Sequence, residues 1–265
     1  MPRITAVSLR DRKSNGDKIA VLTAYDFPTA KLMDAAGVDA ILVGDSCGMV
    51  VMGMPDTTGV TMDMMLHHVK IVSRAVKHAL VIADMPFLSY QVSPEEALRN
   101  AGRFVSEAGA QAVKLEGPAE KFGPAIKAIL DAGIPVMGHI GLTPQSVHQI
   151  GGYKVQGRDP DSKARLREEA LGLARAGCFA LVLECIPAAL AAEITESISI
   201  PTIGIGAGPH CDGQVLVMHD MLGLGKYTKF AKVYGDAGAL MSKAFADYVS
   251  EVKSGAFPTP EHSFE

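Results

Sequence analysis

Residues 40–48 read AILVGDSCG, an apolar run of strand character that stops on an aspartate, a serine and a glycine. No polar residue interrupts its first four positions, so it lacks the alternation of a strand with one face in water. A strand of this kind is buried on both faces. Seven further runs share the pattern: IAVLTAY (19–25), LVIADMP (80–86), QAVKLEG (111–117), PVMGHIG (135–141), FALVLEC (179–185), PTIGIGA (201–207) and QVLVMHD (214–220). Helical patterns separate them, which points to parallel pairing with a crossover helix against each strand.

The intervening helices carry their own start signals at Thr61, at Ser93-Pro94-Glu95-Glu96, at Thr143-Pro144, at Asp161 or Ser162, and at Pro187. The phrases AAGVDA, EAGAQA, DAGIPV and RAGCFA precede strands, with a glycine suited to the left-handed position past a helix end. Eight such units in 265 residues predict an α/β protein: a (β/α)8 TIM barrel, one domain over residues 1–265 with a short N-terminal helical segment. Only KSGAFPTPEHSFE (253–265) reads as a tail. Two connections, Ser46 to Val60 and Gln149 to Asp159, are long and follow strand C-terminal ends, where lids and substrate loops belong.

With 48% hydrophobic residues and a net charge of −4, the chain can fill a large core but offers no basic surface for nucleic acid or anionic membrane. No uninterrupted apolar segment approaches the roughly 20 residues of a membrane helix, and the N-terminus lacks a signal-like apolar region. The expected location is cytoplasmic. The four cysteines form no CxxC pair, so neither a zinc knuckle nor a redox dithiol is indicated.

Chemistry-bearing residues stand at the strand ends: Asp45, Asp84, Lys114 with Glu116, His139, Glu184, and His219 with Asp220. In a barrel these positions converge on one mouth. Strand alternation sends Lys114 and Glu116 the same way, Leu80, Ile82 and Asp84 inward, and by the same rule Ile41, Val43 and Asp45 inward. A lone strand-end aspartate is as readily a helix cap as a functional group. Here the helices have caps downstream, at Thr61 and Ser93, and several strands end in acids. Carboxylates gathered in a partly buried mouth take up protons unless a cation compensates, and all-oxygen ligation selects a hard ion such as Mg²⁺. Lys114 is either the cation that pairs with these acids and holds a substrate carboxylate or a Schiff-base lysine, and Glu116 beside it favours pairing. GIGAG (204–208) misses the dinucleotide fingerprint, since Pro209 stands where a glycine is needed. It can admit a phosphate or flat ring, or can simply pack closely.

The set LTAYD (22–26), VGDS (43–46), ADMPF (83–87), VKLEG (113–117), MGHIGLTPQ (137–145), GGYKVQGR (151–158), LECIP (183–187), IGIGAG (203–208) and DMLG (220–223), with Lys229 and Phe230, resembles the 3-methyl-2-oxobutanoate (ketopantoate) hydroxymethyltransferase family. The resemblance implies a barrel of the phosphoenolpyruvate/pyruvate type, Mg²⁺ on Asp45 and Asp84 with Glu116 also assigned to the metal, and a chelated 2-oxo acid. Ser46, Lys114 and His139 would contact that acid, Glu184 would be the proton acceptor, and 5,10-methylenetetrahydrofolate would donate the methylene. The apolar sequence neighbours of Glu184 would raise its pKa toward working pH. The seventh turn and DMLG are where the pterin is expected to approach. A homodecamer built from dimers is implied as well. The rival readings are a Mg-dependent lyase or mutase of the same barrel group, a covalent lysine aldolase and a non-catalytic binder, for which a spare carboxylate such as Glu184 has no use.

Overall fold

The computed structural model describes residues 2–225 and 228–264; Met1, Lys226, Tyr227 and Glu265, the last residue of the expected tail, lie outside the described residues. Strands β1 (Ile19–Thr23), β2 (Ala40–Val43), β3 (Leu80–Asp84), β4 (Ala112–Lys114), β5 (Val136–Gly141), β6 (Ala180–Glu184), β7 (Thr202–Ile205) and β8 (Gly213–Leu216) close a barrel in sequence order. Every neighbouring pair is parallel, including β1 with β8. All eight expected strands are present, each shorter than its apolar run.

Helices α1 (Ala6–Asn15), α2 (Phe27–Ala35), α3 (Cys47–Val50), α4 (Met62–Ala75), α5 (Pro94–Ser106), α6 (Ala119–Asp131), α7 (Val147–Ile150), α8 (Pro160–Arg175) and α9 (Ala188–Ser197) complete the first compact unit, Met1–Val217. Thr61 and Ser93 cap α4 and α5 through their side chains, as expected, while α8 is capped by the Asp159 side chain, two residues before Asp161 and three before Ser162. Gly37, Gly109, Gly133 and Gly177, from the four small-residue phrases, all have positive φ.

Inside the barrel, Ile19, Val21, Leu80, Ile82, Met137, Val182 and Ile203 belong to one buried cluster that also contains Ala6 and Leu9 of α1. The N-terminal helix thus packs into the interior core. Two ion pairs fasten it: Arg12 Nη2 to Asp39 Oδ1 and Lys13 Nζ to Asp212 Oδ2, both at 2.8 Å.

The second unit, Met218–Glu265, is longer than the tail set apart in the sequence. It contains α10 (Met218–Met221), α11 (Ala237–Ser254) and a 3₁₀ turn at Pro260–His262. His219 and Asp220, expected at the end of strand eight, lie in α10, because β8 stops at Leu216. Helix α11 is capped by Asp236 and buries none of its residues. No helix among the described residues is long and apolar enough to cross a membrane.

Within the first unit, Asp34 of α2 fastens the start of β3. Its carboxylate accepts the N–H groups of Lys77, His78 and Ala79 at 2.9, 3.0 and 2.8 Å. Burial opposes ionisation, and the three donors outweigh it, so the carboxyl titrates below its ordinary value. A depressed folded pKa stabilises the fold at pH values above the unfolded value near about 4, and that stabilisation disappears as the pH falls through the folded pKa. Asp34→Ala is therefore expected to lose about 2 kcal/mol at pH 7, with a smaller deficit at acid pH. Urea unfolding of both proteins across pH measures this; a deficit constant with pH would show that the charge contributes nothing.

Candidate active site

Asp45, Asp84, Lys114, Glu116 and His139 are all buried at the C-terminal ends of β2 to β5, and Glu184 at the end of β6 is 16% exposed. In β3 the expected alternation holds: Leu80 and Ile82 are in the interior cluster, and Asp84 follows them. In β2 it does not. Ala40 and Leu42 face the interior and pair with Leu80 and Ile82, so Ile41 and Val43 take the opposite face. The residue continuing the inward series is Gly44, where a Cβ would lie 2.8 Å from Ser46 Oγ and 3.8 Å from Asp84 Oδ2. Asp45 reaches the mouth because the chain leaves the strand after Val43 and turns toward α3.

The helix-cap explanation for Asp45 fails on geometry, since its carboxylate accepts from Gln145 Nε2 at 2.9 Å. Lys114 Nζ lies 2.7 Å from Asp84 Oδ1 and 3.5 Å from Glu116 Oε1. His139 stands between two acids, with Nδ1 3.4 Å from Glu116 Oε1 and Nε2 3.2 Å from Glu184 Oε2, though neither contact has hydrogen-bond geometry. Glu184 accordingly faces an imidazole, not the apolar surroundings its sequence neighbours suggested. Ser46 Oγ is 2.9 Å from the Tyr25 hydroxyl.

The titration shifts follow from this packing. Burial pushes the Asp45 carboxyl well above its ordinary value, and the charges of Asp84 and then Glu116 push it further. Burial opposes ionisation of Glu116 too, but Lys114 and His139 outweigh it and hold that carboxyl low. For Lys114, burial is overcome by Asp84, Glu116 and Asp45, which keep the ammonium charged. Burial and the Lys114 charge oppose an imidazolium at His139; Glu116 and Glu184 prevail and bring its pKa up to about 9. Four carboxylates thus face two protein cations.

Among the described residues no three His, Cys, Asp or Glu side chains form a ready-made metal cage. The set nonetheless fits a hard divalent ion of the Mg²⁺ kind, which takes one or two carboxylates from protein and the rest from water and substrate. The buried, mutually repelling Asp45 and Asp84 are the pair such an ion would relieve.

The long loops meet over the mouth. Tyr153 Oη lies 3.6 Å from Met49 Sδ, and His148 Nε2 lies 3.6 Å from Asp56 Oδ2. Burial raises the Tyr153 pKa, with Asp56, Asp45 and Glu184 adding to the effect. Cys185 adopts a left-handed φ of 47° just after Glu184, and burial beside that acid pushes its thiol up to about 12, leaving it protonated. At the seventh turn a Cβ on Gly204 would meet Cys211 Sγ and the Gln214 amide, and one on Gly208 would overlap Ala188. Close packing accounts for both glycines. Gln145 was not among the expected site residues: its amide has no charge to mark it, and the signals were its place at the end of the MGHIGLTPQ motif and three residues after the strand-end turn at Leu142.

A closed parallel barrel with buried acids, a lysine and a histidine at its C-terminal mouth has the layout of a barrel enzyme. Among solved structures the chain is similar to a phosphonopyruvate hydrolase complexed with oxalate and Mg²⁺ (TM-score 0.64, 14% identity, 98% of this chain and 93% of that one). It is likewise similar to 2,3-dimethylmalate lyase, a member of the PEP mutase/isocitrate lyase superfamily (TM-score 0.60, 19% identity, 97% and 92%). These likenesses show the fold. The model of the ketopantoate hydroxymethyltransferase family matches residues 3–260. The 3-methyl-2-oxobutanoate hydroxymethyltransferases of Syntrophomonas wolfei and Trichlorobacter lovleyi are 56% and 59% identical, over 100% and 99% of this chain and 96% and 98% of theirs. The chain belongs to the ketopantoate hydroxymethyltransferase family and is a hydroxymethyltransferase.

Gly141 couples β5 to β6. It has φ +97°, and a Cβ there would overlap the Glu184 carbonyl oxygen and lie 2.9 Å from the Ile186 side chain. Gly141→Ala is expected to cost about 3 kcal/mol, several degrees in Tm, and to lower kcat by moving Glu184. A calorimetric scan with a rate assay checks this, and an unchanged Tm would refute the constraint.

Proposed function

We infer that this chain is a 3-methyl-2-oxobutanoate hydroxymethyltransferase of pantothenate biosynthesis, transferring a hydroxymethyl group from 5,10-methylenetetrahydrofolate to the 2-oxo acid and giving 2-dehydropantoate. The observation that carries the catalytic reading is the placement of Glu184: it faces the mouth but is separated by His139 from the buried acids Asp45, Asp84 and Glu116.

That separation divides the acids into a base and a cation site. Glu184 takes the proton from C3 of the oxo acid, and the electron pair of the C–H bond spreads onto the C2 oxygen. Asp45 and Asp84, with Glu116 behind them, would hold a Mg²⁺ ion that supplies positive charge at that oxygen when bound. Asp45, Ser46, Asp84, Lys114 and His139 are assigned to the oxo acid. Lys114 stays an ammonium between Asp84 and Glu116, so it draws the substrate carboxylate electrostatically and is unsuited to Schiff-base formation, which needs the neutral amine. Ser46 presents a hydroxyl oriented by Tyr25 at the rim of the same site. His139, charged below about pH 9, keeps Glu116 and Glu184 apart, and would meet the oxo acid only in place of one of them. C3 then bonds to the methylene carbon and water provides the hydroxyl, while both bonds from that carbon to the two folate nitrogens break; those nitrogens take up the proton held by Glu184 and the remaining proton of the water.

The cytoplasm is the compartment we assign, and a homodecamer built from dimers is the assembly. Leu240, Phe245 and Tyr248, exposed on α11, support an interface between copies; sedimentation velocity tests the assembly.

Deuterium exchange at C3 of 3-methyl-2-oxobutanoate, without folate, isolates the first step. Exchange is expected to need Mg²⁺, to vanish with EDTA, and to fall by roughly 10²- to 10⁴-fold in Glu184→Gln. Metal-dependent exchange at the wild-type rate in that variant would remove Glu184 from the role of base. Cleavage of a 2-hydroxy acid without folate, and no product with it, would favour a lyase instead.

A further inference from the structure

Gln145 is 5% exposed, in the short 3₁₀ turn Pro144–Ser146 that follows β5. Its side-chain amide uses both ends. Nε2 donates to Asp45 Oδ2 at 2.9 Å and to the Met85 carbonyl at 2.8 Å. Oε1 accepts from the Tyr90 hydroxyl at 2.9 Å and from Gln91 Nε2 at 3.0 Å. The Met85 carbonyl is an acceptor only, so the amide cannot be turned over without placing oxygen against oxygen. The backbone of the same residue is also engaged: its N–H donates to Glu116 Oε2 at 3.1 Å.

One residue of a loop therefore grips two acids that come from different strands. Asp45 needs such a grip, because it lies beyond the end of β2, in a turn, and is repelled by Asp84 and Glu116. Asp84 has its own partner in Lys114. The grip is itself braced: Tyr90 is 2% exposed, and its hydroxyl also accepts the backbone N–H of Glu116 at 3.1 Å. Each acid keeps an oxygen that Gln145 does not occupy, Oδ1 of Asp45 and Oε1 of Glu116.

We propose that Gln145 is a positioning residue: by holding Asp45 Oδ2 and Glu116 Oε2 while Tyr90 holds its own amide oxygen, it aims the remaining carboxylate oxygens so that the site takes up a hard divalent cation. The proposal rests on reading Asp45, Asp84 and Glu116 as the cation's residues. Partners of this kind, one bond removed from the ion, typically change metal affinity by about 10- to 100-fold when removed.

The test uses Mn²⁺ as the probe, with its dissociation constant read from the free-ion EPR signal on the full-length protein, and melting curves of the EDTA-treated proteins beside it. Gln145→Met, which keeps length but removes both amide functions, is expected to weaken Mn²⁺ binding by about 10-fold or more. Tyr90→Phe, which leaves Gln145 in place and removes the hydroxyl that braces it and bonds the Glu116 backbone, is expected to weaken it by less, about threefold, because it acts one contact further from the ion than partners of that kind. The metal-free melting temperature of Tyr90→Phe should stay within a few degrees of wild type, and kcat of both variants should recover as Mg²⁺ is raised, which a merely structural defect would not allow. Should Gln145→Met fail to fold, Tyr90→Phe decides. An unchanged Mn²⁺ dissociation constant in every folded variant overturns the positioning role while leaving the cation site intact. Absence of Mn²⁺ binding by the wild-type protein overturns the cation reading, and this inference with it.

Discussion

The contact between Lys114 and Asp84 is the constraint on which the mouth of the barrel is organised. An ammonium and a carboxylate 2.7 Å apart, both nearly inaccessible, would be costly to bury singly, and each is tolerable only because the other is present. They sit on adjacent strands at paired positions, Asp84 opposite Lys114, so the barrel's own register brings them together. Around this pair the remaining charges are placed by what they must neutralise. Glu116 shares Lys114, His139 bridges Glu116 to Glu184, and Asp45 is left with an amide for a partner. The result is an excess of acids over protein cations at the mouth, the feature on which the proposed cation site rests.

The backbone pays for this arrangement at a few positions where a side chain would intrude. Gly44 carries no Cβ where one would press on Ser46, and Gly141 carries none where one would strike the Glu184 carbonyl. Immediately after Glu184 the chain takes a left-handed turn at Cys185, whose N–H bonds to the Ile205 carbonyl and whose carbonyl accepts from Gln156. That second bond ties the loop after β5 to the end of β6. Glu184 thus stands on a strand end whose geometry is fixed by both neighbouring strands, which suits the role of base proposed for it.

Legibility in the sequence divides along physical lines. Strands buried on both faces produce uninterrupted apolar runs, so all eight could be read, and the period of two turned Asp84 inward and set Lys114 and Glu116 on one side, as the structure has them. Asp45 was found for a mistaken reason, since its strand ends two residues earlier and Gly44 occupies the inward position; a turn, unlike a strand, has no periodicity to extrapolate. The role of Gln145 depends on how a loop returns over the mouth, which no local pattern encodes. The division at Met218 was equally hidden, because α11 reads as an ordinary barrel helix although it buries none of its residues.

The separation of Glu184 from the other acids has a chemical logic. A carboxylate bound directly to a divalent ion is a weak base, because the ion stabilises its charged form, and a carboxylate far from the ion cannot reach a proton that the ion's charge has made acidic. His139 resolves the conflict by its size. One imidazole lies between Glu116, which it faces through Nδ1, and Glu184, which it faces through Nε2, so on the proposed reading it stands between the cation's acids and the base. The charge on that imidazole, sustained by both acids, lowers the repulsion between them.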